Sequence, residues 1–180
     1  MIVFTLGTII FPFDRTVDWL DLLLKQEIIT EPVVFQHGAT SVARLNHPLL
    51  TAVPSFTKSE MQDLVQEASL VISHAGQGST RMLAKMGASF VLLPRLKNYG
   101  EHVDDHQLLF AQAVEKLGII YCTEFSDLAN YIKSPPKPFE GKLFDGPSLG
   151  KYLREFYQVP VIPDKGPSST NNLSSEFYYD

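Results

Sequence analysis

The chain has a single cysteine, Cys122, so neither an internal disulfide framework nor a thiolate zinc cluster is open to it, and a reducing compartment suits it. Basic residues are in the minority: 15 Lys and Arg stand against 20 Asp and Glu, for a net charge of −5. A protein that neutralises a phosphodiester backbone shows clustered Lys and Arg; no such stripe occurs, and nucleic acid is excluded as the expected partner. Long apolar runs are missing too. Nothing approaches the ~20 residues that cross a bilayer, and the amino-terminal MIVFTLGT is too short and too poor in basic flanks for a signal peptide. The expectation is a cytoplasmic protein that meets a membrane only through a partner or a surface contact. Two common phosphate-binding spellings are also absent, since neither GxxxxGK[ST] nor GxGxxG occurs.

What is present suffices for one core. With 180 residues and 44% hydrophobic content, the chain suits a single domain with an appendage. From about Pro160 it reads PVIPDKGPSSTNNLSSEFYYD, rich in Pro, Ser and Asn and without apolar periodicity, which predicts a flexible tail. The division expected is a folded domain over 1–158 and a tail over 159–180.

Continuous apolar runs at Ile2–Leu6, Val33–Gln36, Leu70–Ser73, Phe90–Leu93 and Ile119–Tyr121, with a weaker one at Thr51–Val53, read as strands buried on both faces of a parallel sheet. Helical spacing lies between them. Met61, Leu64, Val65 and Ala68 form one stripe, Phe110, Ala113, Val114 and Leu117 another, and Val17, Leu20 and Leu24 follow Asp14. Trp19, Leu22 and Leu23 make that last segment apolar on more than one side, as expected of a deeply packed helix or of one that faces another protein. Thr57–Glu60 and Asp104–Gln107 both have capping-box spacing. The fold class is therefore α/β, an open Rossmann-like parallel sheet with helices on both faces, and its ligand belongs in the loops at the carboxyl ends of the strands.

Three of those loops carry chemistry. After the first strand, Gly7 permits close backbone approach and Thr8 offers a hydroxyl to a phosphate oxygen; a tight turn with Asp14 capping the next helix is the structural alternative. After the fourth run comes His74-Ala75-Gly76-Gln77-Gly78-Ser79-Thr80. Its glycines strip side chains from a helix start, where unpaired N–H groups and the helix dipole favour a diphosphate; a Gly-rich turn with Ser79 as N-cap is the alternative. His74 suits a buttress to this loop better than direct catalysis. The third loop, PRLKNYGEHVDDHQ over 94–107, gathers Glu101, His102, Asp104, Asp105, His106 and Gln107. Helix capping, a divalent metal, or recognition of a polyhydroxylated ligand are all open to it. Metal is the least supported, because adjacent residues on a forming helix diverge in direction.

The GT near the amino terminus, the SHAGQGS after a central strand and the PRLKNYGEHVDDHQ after the next together resemble the carboxyl-terminal, donor-binding domain of family 28 glycosyltransferases over about residues 1–155. Within that group the chain is most similar to the small soluble subunits of two-chain enzymes: the dolichol-linked N-acetylglucosaminyltransferase and bacterial exopolysaccharide glycosyltransferases. The resemblance implies one half of a GT-B enzyme that binds a UDP-sugar without a cofactor or metal. Gly76, Gly78 and Ser79, with the rest of their loop, would hold the diphosphate, with Gly7 and Thr8 beside it. Asp105, His106 and Gln107 would meet the donor sugar and ribosyl-diphosphate, and the Ser55-Phe56-Thr57 loop would meet the uracil. Where many relatives carry a ribose-binding Glu, this chain has Met82; Glu101 or an Asp of the DDHQ stretch is the expected substitute. The resemblance also implies a membrane-anchored partner chain that supplies the base and the acceptor site, and a polyprenyl-diphosphate-linked saccharide as acceptor. The first helix with Trp19, or the segment Leu143–Tyr157, is the expected docking surface. A nucleotide-binding scaffold subunit and a UDP-sugar 2-epimerase-like enzyme are the rival readings.

Overall fold

The structure, a computed structural model, describes residues 1–141 and 143, and along them strands alternate with helices except where β2 leads directly into β3. The order is β1 (Ile2–Thr5), α1 (Asp14–Lys25), β2 (Val33–Gln36), β3 (Leu50–Val53), α2 (Lys58–Glu67), β4 (Leu70–Ser73), α3 (Gln77–Lys85), β5 (Phe90–Leu92), α4 (His106–Glu115), β6 (Ile120–Tyr121) and α5 (Phe125–Lys133). All six strands are parallel, in the order β3-β2-β1-β4-β5-β6. Ile2 pairs with Val33 on one side and Leu70 on the other, so β1 is central and the strand order reverses between β1 and β4. The weak apolar run is the edge strand β3, where Thr51 and Ala52 are exposed; an edge needs less cover.

Period-two alternation assigns the helices to faces. Ile2, Phe4, Leu6, Val33, Phe35, Leu70 and Ile72 pack with Val17, Leu20, Leu23 and Leu24 of α1 and Leu128, Ala129 and Ile132 of α5. Val3, Val71, Phe90 and Leu92 on the opposite face pack with Val65 of α2, Leu83 and Ala84 of α3, and Ala111 and Val114 of α4. The architecture is the α/β, Rossmann-like sheet that the sequence predicts.

Local details differ in places. The Thr57 box forms at both bonds: Thr57 Oγ1 accepts from Glu60 N at 3.2 Å and Glu60 accepts from Thr57 N at 2.7 Å. The Asp104–Gln107 box does not form, because Gln107 turns inward and Asp105 stands at the N-cap of α4. Asp14 is the first residue of α1 rather than its cap, and Ser79 lies inside α3, whose N-cap is Gly76. The buried stripe of α4 is Gln107, Ala111 and Val114; Ala113 and Leu117 are exposed, the latter beyond the helix end. The helix α5 adds to the sequence reading, although Phe125, Leu128, Ala129 and Ile132 have the required spacing. Trp19 packs edge-on against Phe125 at 6.0 Å, so part of the apolar excess of α1 is spent within the fold. No helix among the described residues is long and apolar enough to cross a membrane. The expected tail over 159–180, the boundary at 158 and all of Leu143–Tyr157 but Leu143 lie outside the described residues.

Candidate functional site

The reversal of strand order opens a crevice at the carboxyl ends of β1 and β4, the position at which open α/β sheets bind ligands. A cleft of about 710 Å³ lies there, lined by Gly7 and Thr8 after β1, Phe56 and Lys58 around the start of α2, His74 after β4, and Gly78, Ser79, Arg81, Met82 and Lys85 along α3. Eight of the residues singled out from the sequence thus share one cavity: Gly7, Thr8, Phe56, Thr57, His74, Gly78, Ser79 and Met82. The described residues that line it include three cations and no carboxylate, in a chain whose net charge is −5.

Its floor is a set of interlocked polar contacts. The buried amide of Gln36 accepts from Thr5 Oγ1 at 2.9 Å and Gly7 N at 3.0 Å, and donates to Gly7 O at 2.8 Å and Pro54 O at 3.0 Å. One β2 side chain thereby positions the loops after β1 and β3. His74 Nδ1 faces Thr5 O at 3.2 Å, which makes it the protonated nitrogen and leaves Nε2 an acceptor. Burial pulls the imidazole pKa down to about 4, the bond to Thr5 O opposes that, and Arg95 reinforces it, so His74 is neutral at pH 7. The ring fills the space that two side chains would need. A Cβ on Gly7 would come within 2.7 Å of it and one on Gly76 within 2.4 Å, and Gly7 also has φ +72°, which other residues adopt at a cost. His74 is in this sense a spacer between two glycine turns.

Gly76 N donates to His74 O at 2.8 Å and Gly76 O accepts from Thr80 N and Thr80 Oγ1, both at 2.9 Å, so the turn is closed by its own atoms. No side chain caps α3. The N–H groups of Gln77, Gly78 and Ser79 in its first turn have no partner within the helix and point toward its positive end. A Cβ on Gly78 would meet nothing within 4 Å, so that residue is bare on the cleft side by choice of side chain rather than by crowding. Gln77 is exposed, and neither it nor Gly76 lines the cavity.

The loop between β5 and α4 is organised differently. Arg95 is buried and spans to the β1 loop, donating to Phe11 O at 2.7 Å and Leu6 O at 3.0 Å while its guanidinium lies over Phe13 at 4.6 Å. Burial lowers its pKa to about 10 and Glu101 counteracts this, which leaves it a cation at neutral pH. Glu101 is 2% exposed and holds Arg15 through both oxygens at 2.9 Å, with Leu96 N donating to it at 2.8 Å. Glu101, one of the residues expected to take the ribose, is thus engaged by Arg15 and Leu96 N and does not line the cavity. Asp105 accepts from Lys97 N at 2.9 Å and Gln107, 4% exposed, accepts from Arg95 N at 3.2 Å. Of the Asp105, His106 and Gln107 group, His106 alone is exposed, and none of the three lines the cavity. The chain over 101–105 runs as bends rather than helix, so alternate side chains fall on one side and His102, Asp104 and His106 converge.

The sequence reading missed Gln36, Lys58, Arg81 and Lys85. The last two had a signal: from Gly78, positions 81, 82 and 85 continue one helix face. Gln36 had none, because its bonds reach residues 18 to 31 positions away. Cys122 is buried, which pushes its thiol up to about 12 and leaves no thiolate for chemistry.

Comparison with known proteins fits this geometry. Over 105 residues the chain is 32% identical to a UDP-N-acetylglucosamine–N-acetylmuramyl-(pentapeptide) pyrophosphoryl-undecaprenol N-acetylglucosamine transferase of Trichormus variabilis, a match covering 53% of this chain and 28% of that protein. The crystal structure of the glycotransferase of kitacinnamycin aligns with 73% of this chain and 34% of its own, at 16% identity and a TM-score of 0.51, a likeness of fold. MurG of Acinetobacter baumannii aligns at 22% identity and a TM-score of 0.47, over 72% of this chain and 38% of that one. The chain therefore spans less than two-fifths of each of these relatives. The model of the glycosyltransferase family 28 C-terminal domain matches residues 1–135, three-quarters of the 180-residue chain, and with its doubly wound sheet and glycine-opened cleft the chain belongs to that family.

Proposed function

We propose that this chain is the donor-binding subunit of a glycosyltransferase that moves a hexosyl group from a UDP-sugar to a polyprenyl-diphosphate-linked saccharide in exopolysaccharide or capsule synthesis. The observation that carries this reading is the uncapped start of α3 facing a cleft lined by Lys58, Arg81 and Lys85 and by no carboxylate among the described residues. A diphosphate fits such a surface: converging N–H groups and cations satisfy its oxygens, and Thr8 and Ser79 add hydroxyl donors. Phe56 offers its ring to a base at the far wall. The name of the Trichormus relative supports a pyrophosphoryl-lipid acceptor.

In the transfer step the bond from the anomeric carbon to the diphosphate oxygen breaks, the acceptor oxygen bonds to that carbon, and the acceptor proton passes to a base. Charge grows on the departing UDP, so donors already aimed at it act most strongly in the transition state. This chain supplies that half. The base and acceptor surface belong to a membrane-anchored partner that recruits the chain to the cytoplasmic face of the membrane. In this reading His106, the exposed member of its group, meets the donor sugar from outside the cavity lining, and Asp105 and Gln107 hold the loop that carries it.

Thermal unfolding with UDP, UMP and uridine tests the binding step. UDP is expected to raise the melting temperature and uridine to leave it unchanged, since a ligand at about 100 times its Kd stabilises by ~2.7 kcal/mol. Equal shifts for all three ligands, or none, would sink the diphosphate reading. The commitment of Asp105 and Gln107 to backbone amides favours a second reading, a nucleotide-binding scaffold that takes no part in transfer. Gly78→Val in the reconstituted pair separates the two: lost turnover with intact assembly supports catalysis, and unchanged turnover supports the scaffold.

A further inference from the structure

Five histidines occur in the chain, and the hydrogen bonds of their Nδ1 atoms single one out. His37 Nδ1 meets Thr40 O at 2.9 Å, His74 Nδ1 meets Thr5 O at 3.2 Å, and His47 Nδ1 accepts from Leu49 N at 3.3 Å. His102 Nδ1 is buried and makes no hydrogen bond. It points instead at Asp104 Oδ1, 3.3 Å away but out of line, and the same oxygen is approached by His106 Nδ1 at 2.5 Å. The two imidazoles stand edge to face, 4.4 Å between centroids, and the three ligand-bearing atoms lie within 4.8 Å of one another.

We propose that His102, Asp104 and His106 form a binding site for a divalent transition-metal ion of the zinc class. Two imidazole nitrogens converging on one carboxylate oxygen leave one of them without a partner; a cation among the three satisfies all of them at once. Metal–ligand distances of about 2.0–2.2 Å put the ligands of a tetrahedral site roughly 3.3–3.5 Å apart. The His102 to Asp104 edge already has that length, and the short edge between Asp104 and His106 opens by about 1 Å on the same basis. The side chains that must move are the exposed ones: Asp104 and His106 are 58% and 54% exposed, whereas His102 is 14% exposed and lies against the Phe11 ring. The exposed side is also the entry path. A set of two nitrogens and one oxygen selects Zn²⁺, Co²⁺, Ni²⁺ or Cu²⁺ over Mg²⁺, which prefers six oxygens. Ligation through Nδ1 leaves His106 Nε2–H directed outward, so the site is compatible with the donor-sugar role and does not depend on it. Protein ligands fill three positions and water the fourth.

Titration of the chelator-treated full chain with CoCl₂ tests this, because tetrahedral Co²⁺ absorbs strongly in the visible and octahedral aqueous Co²⁺ does not. One Co²⁺ per chain with tetrahedral absorption, displaced by Zn²⁺ and not by Mg²⁺, is the expected result. His102→Asn and His106→Asn should each weaken binding by at least about tenfold, the scale seen even for residues one step outside a ligand set. His47→Asn should leave it unchanged. A featureless titration of the unmodified chain overturns the proposal whether or not the variants fold, as does tetrahedral binding that survives loss of both His102 and His106.

Discussion

Acidification should destabilise this protein through one imidazole. Burial holds the His74 pKa near 4, against an ordinary value of 6.5, because the ring is packed between Gly7 and Gly76; Arg95 adds to this and the bond to Thr5 O opposes it. In the unfolded chain the same ring takes up a proton near pH 6.5. Between those two values the unfolded state binds the proton and the native state does not, so stability falls as pH is lowered through the window and the loss is complete below about pH 4. At about 1.36 kcal/mol for each unit of difference, this one group accounts for at most ~3 kcal/mol. The edge of the ring opens to the cleft, and water there trims the effect toward ~2 kcal/mol. The assay is urea unfolding, followed by circular dichroism, at a series of pH values from 7 to 4 for the native chain and for His74→Asn. Carboxylates titrate alike in both, so the difference in slope isolates the imidazole. The native chain should lose about 2–3 kcal/mol more than the variant over this range. Parallel pH profiles would refute the reasoning.

The two glycines of the α3 turn should behave in opposite ways. Gly76→Ala drives a methyl to 2.4 Å from a ring that Thr5 O holds in place, and unfolding should show a loss of about 1–3 kcal/mol. Gly78→Ala meets no neighbour within 4 Å and gains helix propensity of up to about 1 kcal/mol, yet it adds a side chain to the cleft, so calorimetry should show stability kept and UDP affinity reduced. Glu101→Gln leaves the partly buried Arg15 without its counter-charge, at a cost toward the lower end of about 3–5 kcal/mol, while UDP affinity measured below the melting point stays unchanged; a selective loss of nucleotide binding would restore Glu101 to the cleft.

Much of the fold was legible because burial leaves a period in the sequence. Strands covered on both faces read as continuous apolar runs, α2 announces itself by the Thr57 box and the Met61 to Ala68 stripe, and the strand ends then point to the loops of Gly7 and His74. The stripe of α4 was misjudged because Gln107 takes the place of an apolar residue on its buried face, a substitution that only its bond to Arg95 N explains. Glu101, Asp105 and Gln107 look like ligand contacts when read as a string of polar residues beside His102 and His106. In three dimensions their oxygens are spent on Arg15, Lys97 N and Arg95 N.

The amino-acid order by itself determined the parallel α/β class, the strands, the buried stripe of α1 and the glycine-opened turn after β4, because each depends on patterns that are local. Tertiary structure decided which polar groups remain for a ligand. Arg15 finds Glu101 across 86 residues and Arg95 finds Leu6 across 89. Partners at that distance are set by the path of the loops, and a polar side chain carries no periodic sign of whether its partner is the protein or something the protein binds.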